Sequence, residues 1–563
     1  MRKGRGRAGL LLWALGAGVL LWLPSPGAPR PLGGLLALVA LVPLLLLVRP
    51  DNGLSPRAAW GGAFLAGVVY YGFSDSWLVH HFAGIYPVKT LGSAAVMLAG
   101  LLLVRRLARR ISLPLAAGMG WASGEWIRSR LPELPYPHHQ VAHSLYDHLW
   151  FAGSASFTGE VGLNFLAAFT AGAWALLWVS RREGSPERKK ASTWAVLALA
   201  LLGGNALLSR YALSRLRTRP GPEVGLVQGM LSLFGKDMAG TGASEFAVQL
   251  GLTRKACAAG PLDLLVWSET SFPVSLVEGG GRDRVPTILG TWMDPRRTRQ
   301  VVRSLSARIL ESADLRPGGG FVAGALAFCP DRRDPAVLVP ENRAYLWDAR
   351  GRIAGWVSKR NLVPGGEFLP FLRWLPFGLG LKAERFFLKL GVPTLQAGEG
   401  PLTMELPGTG RFGAAICYDN AFPDHFARAT REGALWHLVL SNEAWYENGA
   451  ELDQMLAMTV FRALECNRSV VRCTNSGITC LVDPGGRIGP VLRKKGRDRG
   501  FRGILRVRVP LCSVTTWTAT VSGWPGLGLL IFAFLLAFFP LAWPGGFSGG
   551  RMARIPEERE VSS

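Results

Sequence analysis

The sequence predicts a multi-span α-helical membrane domain joined to a layered α/β domain. Three observations carry this reading. Of 563 residues, 49% are hydrophobic, a high share for a chain that lives in water. Apolar stretches long enough to span or nearly span a bilayer crowd the first 210 residues and recur once near the C-terminus. Between them, residues 220–510 alternate short apolar strand patterns with helical ones, the signature of strands and helices packed in layers.

The apolar stretches fall at 8–23, 32–48, 58–74, 91–104, 113–127, 161–179, 191–209 and 523–543. Their flanks are unequal. Loops of one parity hold fifteen Lys and Arg before residue 210, among them Arg2, Lys3, Arg105, Arg106, Arg188 and Lys189, while the other parity holds four: Arg30, Lys89, Arg128 and Arg130. Positive charge stays on the cytoplasmic side, so the N-terminus is expected there and residues 210–522 opposite it. The expected domains are 1–210, a transmembrane domain of about seven helices; 211–522, an α/β domain on the far side of the membrane; and 523–563, a last helix with a cytoplasmic tail. A basic start before an apolar run also fits a cleaved leader over 1–28, which would break that parity.

The formal net charge of +24 would suit nucleic acid if it formed one patch with interleaved aromatics. Instead it lies in short runs beside apolar segments, which points to anionic lipid head groups and not to nucleic acid. Seven cysteines without a CxxC or a His/Cys cluster at ligand spacing argue against a zinc site or a dense disulfide framework, so no metal or cofactor is expected.

Within the α/β domain, strands are expected at 223–229, 262–269, 320–328, 343–348, 353–358, 411–416, 436–442, 469–474, 478–483 and 503–510, with helices at 243–259, 299–313, 422–432 and 453–466. One stretch organises the rest. Phe412 to Ile416 is a short apolar run followed by Cys417-Tyr418-Asp419-Asn420, a thiol where the chain leaves the sheet. A lone cysteine is commonly buried and inert. Here Glu269 ends another apolar strand after Trp267, and Lys359 ends a third after Trp356.

Glu269, Lys359 and Cys417, in that order and each at a strand end, resemble the triad of the nitrilase (carbon–nitrogen hydrolase) superfamily. The stretch Lys359-Arg-Asn-Leu362-Val-Pro364-Gly-Gly-Glu367, the block Leu440-Ser-Asn442-Glu443-Ala-Trp445-Tyr, then Arg462-Ala-Leu-Glu465 and Arg472-Cys-Thr474-Asn475-Ser-Gly477 narrow the resemblance to the membrane branch, the apolipoprotein N-acyltransferase family. Gly124-Glu125-Trp126 and Gly159-Glu-Val-Gly162 in the apolar half are similar to that family as well.

The resemblance implies an α-β-β-α sandwich and an acyl transfer through a thioester on Cys417. The donor would be a glycerophospholipid, and the acceptor the α-amino group of a lipid-modified N-terminal cysteine on an apolipoprotein. Glu269 would be the base and later acid. The Lys359 ammonium and the backbone N–H of Tyr418 would stabilise thiolate and oxyanion. Trp267 and Phe272 are expected to enclose Glu269. Supporting positions are Glu367, Tyr418, Asp419, Asn442 and Glu443. The bland reading of Glu269 and Lys359 is a buried ion pair.

Four positions depart from the family pattern: Asp419 for Glu, Glu443 for Asp, Gly365 for Phe and Met230 for Asn. They bear on pocket shape and leave open a divergent copy with another amine acceptor, an amidase in which water accepts, or a lipid-binding module. Phe371, Trp374, Phe377, Phe386 and Phe387, with interspersed Arg and Lys, resemble an interfacial arm, the alternative being a packed lid. His138, His139, His143 and His148 replace the family's usual Gly-Tyr-Ser-Gln, and are expected in a wet polar loop at the membrane surface or, at i, i+4, i+5 spacing, as metal ligands. An inner-membrane, multi-pass location is implied.

Overall fold

The computed structural model describes residues 7–539 apart from 32, 183–187, 232–240, 279–284, 288–291, 333–334, 448 and most of 373–394. The first part is helical: Arg7–Trp22, Pro56–Ser74, Ile85–Leu107, Leu113–Arg128, Ala155–Arg182 and Arg188–Ser214. Ile85–Leu107, Ala155–Arg182 and Arg188–Ser214 are long and apolar enough to cross a membrane, while Arg7–Trp22, Gly33–Val48 and Trp524–Phe538 are apolar but shorter. Val196, Leu199 and Leu207 on Arg188–Ser214, and Ile531, Phe532 and Phe534 on Trp524–Phe538, are exposed, as lipid-facing side chains must be. The stretch expected as a span at 32–48 is instead a 3₁₀ turn and two short helices, because Pro43 lacks the donor that a continuous helix needs there. Gly159 (φ 62°, ψ −178°) breaks Ala155–Arg182 near its start, and only glycine enters that region without strain.

The α/β part is two sheets face to face. In the first the strand order is Gly503–Leu511, Arg219–Gln228, Leu262–Trp267, Leu315–Pro330, Leu338–Asp348, Ile353–Ser358. The second runs Ile488–Val491, Cys480–Val482, Ser469–Thr474, Trp436–Ser441, Gly410–Ile416, Thr403–Leu406. Val224, Leu264, Val266 and Val322 meet Phe412, Ala414, Ile416, Leu438 and Val471 between the sheets. Helices Thr241–Cys257 and Pro295–Glu311 cover the first sheet, and Pro423–Arg431 and Glu451–Cys466 the second, giving the α-β-β-α layers.

Both central strand groups are parallel and mostly apolar, as strands buried on two faces are, with Arg472 and His437 as buried polar exceptions. Besides the two-residue strands Leu276–Val277, Val285–Pro286 and Trp292–Met293, two edge strands were not foreseen. Thr403–Leu406 is a short edge between Pro401 and Pro407, and Ile488–Val491 carries Gly489-Pro490, a pair that reads as turn but is tolerated at a sheet edge where no ladder donor is needed. Leu315–Pro330 and Leu338–Asp348 extend well beyond their expected bounds, pairing antiparallel from Gly320 with Asp348 to Pro330 with Leu338.

The histidine loop corrects an expectation. His138, His139 and His143 are nearly fully buried between the helical part and the sandwich, each against a carboxylate, and only His148 is partly exposed. Their partners Glu451, Asp75 and Glu160 come from distant segments, so a reading of the loop alone could not see them. No grouping of metal-ligating side chains occurs among the described residues.

Candidate active site

The register sets the site. Ile416 pairs with Leu440 and Leu440 with Cys473, so three parallel strands end level and deliver Cys417, Asn442 and Asn475 to one edge. Leu262–Trp267 ends at the same edge of the opposing sheet with Glu269 just beyond. Arg343 pairs with Ser358, which places Lys359 beside Asn342, and the Lys359 N–H donates to the Asn342 carbonyl at 2.8 Å. Parallel strands in layers commonly present their carboxyl ends as the binding edge.

Glu269, Lys359, Glu367 and Cys417 converge here, all buried or nearly so. Asn342 Nδ2 donates to Glu269 Oε1 at 2.7 Å, and the Asn442 N–H donates to Oε2 at 2.6 Å. Lys359 Nζ is 3.6 Å from Glu269 Oε1 and donates to Glu367 Oε1 at 2.7 Å, while the Val363 N–H holds the other Glu367 oxygen at 2.9 Å. Cys417 sits in left-handed backbone (φ 50°) at the head of the 3₁₀ turn Cys417–Ala421. A non-glycine residue there is strained, a cost that clusters at functional positions.

The electrostatics are those of one cation among three acids. Burial raises the Cys417 thiol well above its usual pKa, Glu269 adds to the rise, and Lys359 opposes it. Burial works against the Lys359 ammonium too, but Cys417, Glu367 and Glu269 outweigh it and its pKa lies above the usual value. Burial also raises the Glu367 carboxyl, against the pull of Lys359. The resting pair is therefore ammonium and thiol. Such a thiol ionises only when a neighbouring group takes its proton, and a carboxylate held by Asn342 and Asn442 beside the lysine is placed for that.

The model of the apolipoprotein N-acyltransferase N-terminal domain matches residues 17–173, and that of the carbon-nitrogen hydrolase domain matches residues 321–517. Apolipoprotein N-acyltransferases are similar along most of the chain. That of Geobacter metallireducens is 29% identical over 499 residues, covering 85% of this chain and 86% of the relative. That of Gloeobacter violaceus is 28% identical over 522 residues, with 86% of each covered. That of Methylococcus capsulatus is 26% identical over 544 residues, covering 92% and 94%. The chain belongs to the apolipoprotein N-acyltransferase family. It is an acyltransferase and a membrane protein, and its sandwich is nitrilase-like.

Within this acyltransferase the remaining expected positions separate. Asp419 clasps two turns, its carboxylate accepting from the Asn361 N–H at 2.8 Å, Asn361 Nδ2 at 2.8 Å and the Ile416 N–H at 3.2 Å. The shorter side chain thus ties the lysine turn to the cysteine turn. Glu443 has another job: it is fully buried, paired with Arg472 and accepting from the Ile478 N–H at 3.2 Å, so its departure bears on the frame rather than on pocket shape. Gly365 (φ 77°) lies where a Cβ would come within 2.9 Å of Ile85 of the helical part. Met230 takes left-handed backbone (φ 49°), a conformation that asparagine accepts more readily.

Two expectations need amending. Trp267 and Phe272 do not enclose Glu269; both pack in the outer core with Trp347, because side chains alternate across a strand. Of the aromatic arm, Phe371 and Phe386 are exposed, 48% and 57%, whereas Trp374, Phe377 and Phe387 lie outside the described residues. Asn342 was not singled out from the sequence, and Asn475 and Tyr446 stood there only as motif residues with no role. Asn475 Nδ2 donates to Asn442 Oδ1 at 3.0 Å, backing the residue that holds Glu269, and the Tyr446 ring packs on Trp77 of the helical part with centroids 4.9 Å apart. Asn342 left a signal: Glu341-Asn-Arg343 is a polar triplet inside an otherwise apolar strand.

Proposed function

We propose that this acyltransferase moves an acyl chain from a glycerophospholipid to the α-amino group of the lipid-modified N-terminal cysteine of an apolipoprotein, through a thioester on Cys417. Glu269 takes the thiol proton as sulfur attacks the ester carbonyl. The tetrahedral oxyanion is held by the Lys359 ammonium and the Tyr418 N–H, and collapse expels the lysophospholipid alkoxide, which takes the proton from Glu269. The amine then attacks the thioester, its surplus proton passes to Glu269, and the thiolate leaves to recover that proton. Glu367 holds Lys359 throughout, and Asp419 and Asn442 hold the turns. The observation that carries the reading is Lys359 Nζ seated between Glu269 and Glu367 next to a buried Cys417.

Residues 1–210 form the transmembrane domain in this reading, 211–522 the periplasmic catalytic domain, and 523–563 the returning helix and tail, in a bacterial inner membrane. The fifteen-to-four loop charge bias supports this orientation. The exposed Phe371 and Phe386 support an arm that meets the head-group layer and guides the chain. Mass spectrometry of the purified protein incubated with phospholipid tests the function. An acyl adduct on Cys417 that persists in water and disappears on adding a diacylated lipopeptide is the expected result. Rapid loss of the adduct to water would make the protein a hydrolase, and no adduct would remove the thioester.

A further inference from the structure

The loop that carries the unexpected histidines reaches the residue next to the nucleophile. Tyr418 follows Cys417, and its hydroxyl donates to the Pro135 carbonyl at 2.7 Å. Its ring lies near parallel to the His138 imidazole, 20° apart with centroids at 5.6 Å, and His138 in turn stacks on Tyr136 at 4.6 Å and 11°. The imidazole is fixed from the side by Glu451, Nε2 to Oε1 at 2.8 Å. All four side chains are buried or nearly so, and they come from three separated segments: the loop after Leu113–Arg128, the cysteine turn, and the first turn of Glu451–Cys466.

We infer that His138, held by Glu451, is a positioning residue for this reaction: it forms the platform against which the Tyr418 ring rests, and so fixes the strained Cys417–Tyr418 backbone that presents the thiol and the oxyanion-binding N–H. This rests on the assignment of Cys417 as nucleophile. Burial pushes the His138 imidazole down to about 3 and raises the Glu451 carboxyl, so the pair works as a neutral hydrogen bond between flat groups. A neutral, stacked imidazole is a rigid spacer, and burial with Lys89 and Arg128 opposes a charge there more than Asp75 favours it. The thiol turn is thereby referenced to the helical part of the chain, through a ring where the family pattern has none of these histidines. Positional error of about 1 Å at a reacting group costs on the order of 100-fold in rate.

The test measures single-turnover acylation of Cys417 by a soluble short-chain p-nitrophenyl ester, with the full-length protein in detergent. His138→Ala is expected to lower the maximal acylation rate about 30-fold while the ester concentration for half-maximal rate stays within about 2-fold, the mark of lost transition-state geometry rather than lost binding. His138→Phe, which keeps both stacks, should recover most of the rate. Glu451→Ala, which frees the imidazole without emptying its place, should slow acylation about 5-fold. A wild-type rate in His138→Ala, or in Glu451→Ala where His138→Ala does not fold, overturns the inference, as does a His138→Phe no better than His138→Ala. A wild-type protein that gives no ester adduct on Cys417 would fail the nucleophile assignment instead.

Discussion

The pocket around Cys417 and the seam between the helical part and the sandwich use the same materials, buried carboxylates against Lys, Arg and His, to opposite ends. In the seam two acids share one guanidinium and are also held by side-chain and backbone donors. Arg462 lies 2.6 Å from Glu160 and 3.0 Å from Glu465, Gln140 Nε2 donates to Glu160 Oε1 at 2.8 Å, and the Glu160 N–H donates to Glu465 Oε1 at 3.0 Å. In the pocket Lys359 faces Glu269, Glu367 and Cys417 as the one cation paired with them among the described residues, and burial first, then the Glu269 charge, keeps the thiol protonated until substrate arrives. A network whose acids are tied across two parts fixes one arrangement of them. One that also holds a buried, protonated thiol leaves a proton that a reaction can move.

Substitutions should separate the two regions. The largest effect is expected from Cys417→Ala, which should reduce acyl transfer about 10³-fold or more with no loss of melting temperature, since a small thiol contributes little to packing. Lys359→Ala should likewise abolish the adduct. Transfer activity surviving in Cys417→Ala would dissolve the contrast. Next, Arg462→Leu should cost roughly 3–5 kcal/mol, because it strands two buried carboxylates, and thermal melting would register it. The folded fraction should still acylate Cys417, and a stable variant with a dead thiol would mean that the seam takes part in chemistry.

A third test sharpens the seam itself. Burial pushes the Glu465 carboxyl up to about 8. Its folded value thus lies above its unfolded one, so the folded state binds the extra proton between about pH 4.5 and pH 8, and stability from this group is present below that window and lost as pH rises through it. Glu465→Gln, which mimics the protonated form, should match the wild type near pH 5 and become the more stable of the two above pH 8, by differential scanning fluorimetry. Equal melting curves at both values would show that Arg462 neutralises Glu465 fully. The smallest effect belongs to the arm: Phe371→Ser with Phe386→Ser should slow acylation by long-chain phospholipid about 3–10-fold, leaving a short-chain ester and the melting temperature unchanged. An equal loss for both donors with reduced stability would make the arm a packed lid.

The pocket was legible because its signals are local. An apolar run that stops at Cys417, Glu269 or Lys359 can be read without knowing the neighbours, and parallel strands bring such ends together. Residues acting across the sheet were harder: Asn342 showed only as polarity inside a strand, and Trp267 was assigned to the wrong face because a strand's two faces cannot be ranked from one segment. The edge strands Thr403–Leu406 and Ile488–Val491 hid behind proline, which at an edge forfeits nothing.

The sequence by itself determined the division into an apolar helical part and a layered α/β part, and the three strand ends that carry thiol, ammonium and carboxylate. These follow from periodicity and from residue types within about ten positions of one another. Only the tertiary structure decided that Lys359 is shared with Glu367, that Glu443 belongs to Arg472, and that His138 rests against Tyr418 with Glu451 at its side. The physical reason is that a buried polar group takes its character from its partner, and His138 and Glu451 are 313 residues apart.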